Sequence, residues 1–167
     1  EVGRDIDLFE FTPLKNAAST RVSGTVNLQP LALINGSAMF GYRQHNFART
    51  DVPPYRGPIA AVNLSYNPLT ATKLNLALSR DVKYAVNPSQ PYFVETAATV
   101  TVQQRIDGPF DTLDKLGSTR LAYRDLKGAV EEVSNQLALV NRIGIGAGYR
   151  LGLDKRVGFT LDHVERL

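Results

Sequence analysis

The sequence predicts an all-β fold, an antiparallel up-and-down transmembrane β-barrel that is either complete or a partial barrel of about eight or nine strands. Three observations carry this prediction: polar and apolar residues alternate with period two, the strands expected around the alternating segments are about 9 to 12 residues long, and the connections between them alternate between short and long. Strands in soluble sheets are usually nearer 5 or 6 residues, so the length favours strands that cross a bilayer.

The alternation is clearest between Arg21 and Leu28, where Val22, Val26 and Leu28 share one parity and the polar residues share the other. Such a pattern is typical of a strand with one apolar and one polar face. Asp5–Phe11 forms a less regular ninth segment. The eight regular segments are 21–28, 37–44, 60–66, 73–79, 94–105, 118–124, 142–150 and 156–162.

The connections fall into two classes that take turns along the chain. The short ones, mostly marked by proline or glycine, are 29–36, 67–72, 107–112 and 151–155. The long polar ones are 44–57, 81–91 and 124–136. Short turns at one rim and long loops at the other are characteristic of bacterial outer-membrane barrels. We therefore expect a meander in which each strand pairs with its sequence neighbours.

The apolar parity is expected to face lipid and the polar parity to line the barrel interior. Tyrosines on the apolar parity support this assignment, because aromatic residues gather at the two membrane interfaces. Tyr42 and Tyr123 lie where strands meet long loops, and Tyr66 and Tyr149 lie where strands meet short turns. In segment 118–124 the polar parity is that of Ser118, Arg120 and Arg124.

Four short phrases resemble strand phrases of porin-type β-barrel proteins of the Gram-negative outer membrane, which are often associated with polysaccharide export. They are residues 41–43 (Gly-Tyr-Arg), 122–124 (Ala-Tyr-Arg), 148–150 (Gly-Tyr-Arg) and 156–159 (Arg-Val-Gly-Phe). The resemblance extends over most of the chain from about Thr20. It implies an outer-membrane barrel without catalysis or a cofactor, and it supplies no site residues.

Composition narrows the functional classes. Cysteine is absent, which excludes disulfides and thiolate sites, and the net charge of +3 is spread singly, so nucleic acid is not expected as a partner. No apolar run is long enough for a membrane-spanning helix. We expect residues 1–167 to form a single barrel domain. Because many outer-membrane barrels end in an aromatic residue and this chain ends at Leu167, the domain is expected to belong to a longer barrel chain.

The candidate site is a set of cations on the polar parity. If the interior is water-filled, an excess of positive charge there would favour anions. The alternative is a ladder of cross-strand ion pairs that fills a narrow barrel. The residues expected to line the interior are Arg43, Arg105, Arg120, Arg142, Arg150 and Arg156.

No catalytic or metal-binding pattern is found. His45 and His163 lack partners at metal-ligand spacing, and we expect His45 to be solvated and His163 to lie at the membrane interface. The glycines of 144–148 alternate along a strand, and no helix follows them as a phosphate-binding loop requires. Glu131 and Glu132 are read as solvated loop residues, and Asp111 as a turn residue.

Three functional hypotheses stay open at this point. The first is a non-enzymatic porin-like passage or a component of envelope export in the outer membrane. The second is a plugged structural barrel whose long loops bind a partner. The third is a soluble lipocalin-like or sandwich binding protein. The partners expected under the first two are outer-membrane lipid, lipopolysaccharide and other envelope proteins.

Overall fold

The computed structural model describes residues 2–7, 16–28, 33–86, 90–106, 108–127, 136–151 and 155–167. Regular structure in these ranges is β-strand, and no helix among the described residues could cross a membrane. The strands are β1 (Val2–Asp7), β2 (Ala17–Leu28), β3 (Ile34–Phe47), β4 (Tyr55–Leu69), β5 (Thr72–Tyr84), β6 (Tyr92–Arg105), β7 (Phe110–Arg124), β8 (Leu137–Arg150) and β9 (Arg156–Arg166).

The strands form one antiparallel sheet in which every strand pairs with its sequence neighbours, in the order β1 to β9. The predicted meander is therefore confirmed. The sheet is open: among the described strands, β1 and β9 each have one neighbour. The ninth predicted strand, expected at Asp5–Phe11, is β1 and begins earlier, at Val2, while residues 8–11 lie outside the described ranges.

The strands are longer than the alternation alone indicates, since β2 to β9 have between 11 and 15 residues. The 13 residues of β5 extend about 43 Å at about 3.3 Å per residue. A strand tilted by about 45° needs about that length to cross a hydrocarbon core of about 30 Å. Between β4 and β5 only residues 70–71 intervene, whereas 125–136 separate β7 from β8. The strand lengths and the unequal connections are those of a membrane barrel.

Cross-strand register assigns each side chain to one of two faces. In β2 the Ser23 side of the strand is sheltered and the Val22 side is exposed, with 7% and 56% of each residue accessible. The same contrast holds in β3, where His45 is 3% and Phe40 is 61% exposed. We call the sheltered side, with Ser23 and His45, the inner face, and the exposed side, with Val22 and Phe40, the outer face. The outer face is apolar over most of the sheet.

The pairing of β4 with β5 ends before the strands themselves do. It runs from Leu69↔Thr72 to Ala60↔Arg80, with a register shift between Tyr66 and Leu69. Beyond Arg80, β5 stays paired with β6 as far as Tyr84, and β4 stays paired with β3. The described residues of β4 and β5 therefore diverge at the end that carries the long loops.

Candidate functional site

The register places five of the six candidate arginines on the inner face. Arg43 pairs with Arg21 and Gly57, and Arg142 pairs with Gly117 and Val164. Arg105, Arg150 and Arg156 lie on the same face near the short turns. Contact between these five side chains and a solute stays a prediction.

Arg120 lies on the other face. Its cross-strand neighbours are Thr96 and Leu139. These residues lie on the same face of the sheet as Val100, Leu116 and Ile143, which is the outer face. The expectation that Arg120 lines the interior is therefore corrected. In the loop-side half of β7, Ser118, Arg120 and Arg124 lie on the outer face, whereas Leu121 and Tyr123 lie on the inner face, so the expectation that Tyr123 faces lipid is also corrected.

The short-turn end of the inner face is organised around Asp111, whose side chain is 0% exposed. Arg156 donates from Nε to both carboxylate oxygens of Asp111 at 3.0 Å and from Nη2 to Oδ1 at 2.5 Å. Arg150 approaches the same carboxylate, with its Nε 3.5 Å from Oδ2. One buried anion thus fixes two cations from β8 and β9. Asp111 is a strand residue, so its assignment to a turn is wrong.

Glycine at 148 makes this arrangement possible. Gly148 pairs with Asp111 on one side and with Gly158 on the other, and the guanidinium of Arg156 occupies the space that a Cβ at 148 would need. Gly144 likewise leaves room for the carboxylate of Asp162. The glycines of β8 therefore lie in a strand on a crowded inner face, as predicted, and not in a phosphate-binding loop.

A cavity of about 510 Å³ adjoins the Asp111 group. Lys73, Arg105 and Arg150 line it, together with Gln103 and the turn between β4 and β5. Because β5 and β8 are separated by two strands, their shared cavity shows that the sheet curves around its inner face. With Arg156, the short-turn end holds four cations against the single carboxylate of Asp111 among the described residues of this group.

Ion pairs at the opposite end of the inner face are balanced. Arg43, with a side chain 14% exposed, donates from Nη1 to Oδ1 of Asp81 at 2.8 Å. Lys83 lies 2.9 Å from Glu95. Arg43 and Lys83 thus each have a carboxylate partner, whereas Lys73 and Arg105 near the short turns form no salt bridge among the described residues.

A cluster of aromatic side chains lies at the loop end of the sheet. The hydroxyl of Tyr84 lies 3.2 Å from Nε2 of His45, and Phe47 stacks on Tyr92 with ring centroids 4.9 Å apart. His45 is buried, so the expectation that it is solvated is wrong. His163 is exposed on the outer face opposite Ile143, a position compatible with a membrane interface.

The described residues contain no group of three or more His, Cys, Asp or Glu that could hold a metal ion. Glu131 and Glu132 lie outside the described ranges. What the inner face can do chemically is to attract anions by charge and bind them by hydrogen bonds from guanidinium groups.

Comparison with known proteins places the chain in a family. Residues 9–162 match the family model described as putative beta-barrel porin 2. The chain belongs to this family. Neither a curated protein nor a solved structure matches the chain. Membership agrees with the resemblance drawn from the sequence and with the nine-stranded meander, and it identifies the chain as a porin-type β-barrel protein.

Proposed function

We propose that this porin-family chain forms an outer-membrane passage without catalysis, for small solutes or for an exported envelope polymer. Family membership supports a porin-like barrel. The exposed apolar outer face supports a lipid environment, since side chains such as Phe40, Ile145 and Phe159 are each more than half accessible. A soluble protein rarely exposes so continuous an apolar surface.

We propose further that the passage favours anions. The observation that carries this proposal is the imbalance at the short-turn end, where Arg150 and Arg156 share the buried carboxylate of Asp111 and Lys73 and Arg105 line the adjoining cavity. Low-dielectric walls around a wet lumen focus such charge and raise the local concentration of anions. Acidic sugars and phosphorylated metabolites are the solute classes that this field favours.

Reversal potentials in a salt gradient test the anion proposal. The full-length protein, refolded into planar bilayers, should prefer anions, and Arg105→Ser with Arg142→Ser should shift the reversal potential towards zero. These two arginines form no ion pair among the described residues, so their removal leaves the contacts of Arg150 and Arg156 with Asp111 in place. Arg120→Ser is the matched control, because it removes the same charge from the outer face.

Two outcomes would count against this function. A preference for cations in the parent protein would contradict the anion field while leaving a passage. An absence of conductance would favour the plugged structural barrel instead, with the long loops as its binding surface.

We also propose that the described sheet is one part of a larger closed barrel domain. Unpaired edge groups are costly in lipid, so the open sides of β1 and β9 need partners in a membrane. Bacterial single-chain barrels have even numbers of antiparallel strands, whereas the sheet has nine. Cysteines introduced on β1 and β9 should therefore fail to form a disulfide in the folded protein. Efficient cross-linking would show direct closure.

A further inference from the structure

The outer face changes character towards the long loops. One cross-strand row consists of Leu76, Val100, Leu116 and Ile143, all apolar. Four residues further along each strand, the matching row contains Arg80, Thr96 and Arg120 before it reaches Leu139. The next row on β5 to β7, Val82, Val94 and Ala122, is apolar again, but it packs in a buried cluster with Val52 and Tyr55. On β5 to β7 the exposed apolar surface therefore ends at the row of Arg80 and Arg120, and in a membrane barrel such an end marks the upper boundary of the hydrocarbon, where lipid headgroups begin.

More cations gather on this side of the rim. Arg56 lies on the outer face of β4, and Arg124 on that of β7. Arg56, Arg80, Arg124 and Lys127 line one cavity of about 590 Å³. The cavity opens where β4 and β5 diverge, beside the loop at 48–54. We call Arg56, Arg80, Arg120, Arg124 and Lys127 the outer-rim cluster.

The outer-rim cluster carries more positive charge than its surroundings neutralise. The acid that lines the cavity, Asp125, accepts a hydrogen bond from Gln90 at 2.9 Å. Among the described residues, no salt bridge involves a member of the cluster. Arg80 donates from Nη1 to Thr96 at 2.9 Å, while its buried Nε has no acceptor in the described structure.

Arg49, in the loop that follows β3, differs from the outer-rim cluster because it is paired with a carboxylate. Arg49 donates from Nε to Asp51 at 2.7 Å, and this hydrogen bond holds the pKa of the Asp51 carboxyl below its usual value and raises the pKa of Arg49. Arg49 is therefore occupied by its own counterion. Lys127 also lowers the pKa of Asp51 by its charge, so the donors left for an external anion are those of the four arginines of the outer-rim cluster.

We propose that the outer-rim cluster binds the phosphate groups of an anionic lipid in the outer leaflet. Guanidinium forks match phosphate oxygens in geometry and charge. The apolar row of Leu76, Val100 and Leu116 lies on the same face below the cluster, where the acyl chains of that lipid would pack. The inference rests on the proposed outer-membrane location and does not depend on an open lumen.

Lipid binding to the full chain in detergent tests the proposal. The probes are diphosphoryl lipid A and the same lipid without its phosphates, titrated and followed by native mass spectrometry. A surface cation contributes roughly a fivefold gain in affinity for anionic lipid. The triple variant Arg80→Gln, Arg120→Gln, Arg124→Gln should therefore bind diphosphoryl lipid A on the order of a hundredfold more weakly.

The matched control removes three cations elsewhere, with Arg49→Gln, Lys73→Gln and Arg105→Gln, and should retain lipid affinity. Equal affinity of the parent for the two lipids, or retained binding in the triple variant, would overturn the proposal. Inorganic phosphate that binds as tightly as the lipid would also overturn it and indicate a solute site. Conductance of the Arg80→Gln, Arg120→Gln, Arg124→Gln variant is measured in parallel and should be unchanged. Loss of passage and loss of lipid binding are thereby separated.

Discussion

Removing the charge of Asp111 should destabilise the barrel through the two arginines that it holds. In Asp111→Asn the side chain keeps its shape, but Arg156 loses its ionic acceptor and Arg150 its counterion. Deleting one partner of a buried ion pair costs about 3 to 5 kcal/mol. The arginine side chains are 36% and 37% exposed, so water solvates part of the stranded charge. We therefore expect a loss of about 2 to 3 kcal/mol in the free energy of unfolding.

A substitution at Gly148 should act through the same contact. The Cβ of Gly148→Ala displaces the guanidinium of Arg156 from Asp111, at a cost of about 1 to 2 kcal/mol. The double variant with Asp111→Asn should then lose less than the sum of the single losses, because the two changes break one interaction. Gly24→Ala is the control, since a Cβ there meets nothing within 4 Å.

Equilibrium unfolding in urea from lipid vesicles, scored by heat-modifiable gel migration, measures the stability of the parent protein and of the four variants. Additive losses in the double variant, or a Gly148→Ala protein as stable as Gly24→Ala, would refute the idea that this glycine serves the Arg156–Asp111 contact.

Three further predictions concern the two faces of the sheet, a glycine in β3 and the aromatic cluster at the loop end. Val100→Arg on the outer face should cost about 2 to 4 kcal/mol if Val100 lies near the bilayer midplane, and inner-face Thr101→Arg should cost less, in the same vesicle assay. Gly36→Ala should lose more than about 2 kcal/mol, because its φ is +138° and a Cβ would overlap the backbone of β4; a neutral result would contradict this conformation. Tyr84→Phe should lose about 0.5 to 1.5 kcal/mol with its bond to His45, measured by urea unfolding at neutral pH.

The sheet could be predicted because its signals are local. Alternation, strand length and connection length each depend on a few neighbouring residues, and together they set the order and antiparallel pairing of the strands. The face assignment was wrong for β7 because its alternation is ambiguous: Leu116 points outward, whereas Leu121 points inward. The register of β7 with β6 resolves the ambiguity, and sequence alternation alone does not set that register.

The candidate site was only partly predictable, because its key contacts join strands that are not sequence neighbours. Arg156 reaches Asp111 across β8, and Tyr84 reaches His45 from β5 to β3. One signal for Asp111 was nevertheless available: the connection between β6 and β7 is short, and the register places Asp111 opposite Arg105. The position of Asp111 opposite a cation on the polar parity indicates an ion-paired strand residue. Its nearness to a proline had suggested a turn residue instead.

The parity of a cation does not by itself reveal its role in this barrel. Arg120 shares the alternation of polar strand residues, yet its row on the outer face lies next to Thr96 and Arg80, above an apolar belt. Arg80 in turn follows the parity of Leu74, Leu76 and Leu78, which should have marked it as an outward cation at the edge of that belt. Charge on the apolar parity is costly within hydrocarbon and favourable beside lipid phosphates. The position of a cation along its strand therefore has to be considered together with the face on which it lies. The cations near the short turns and the outer-rim cluster differ in both respects.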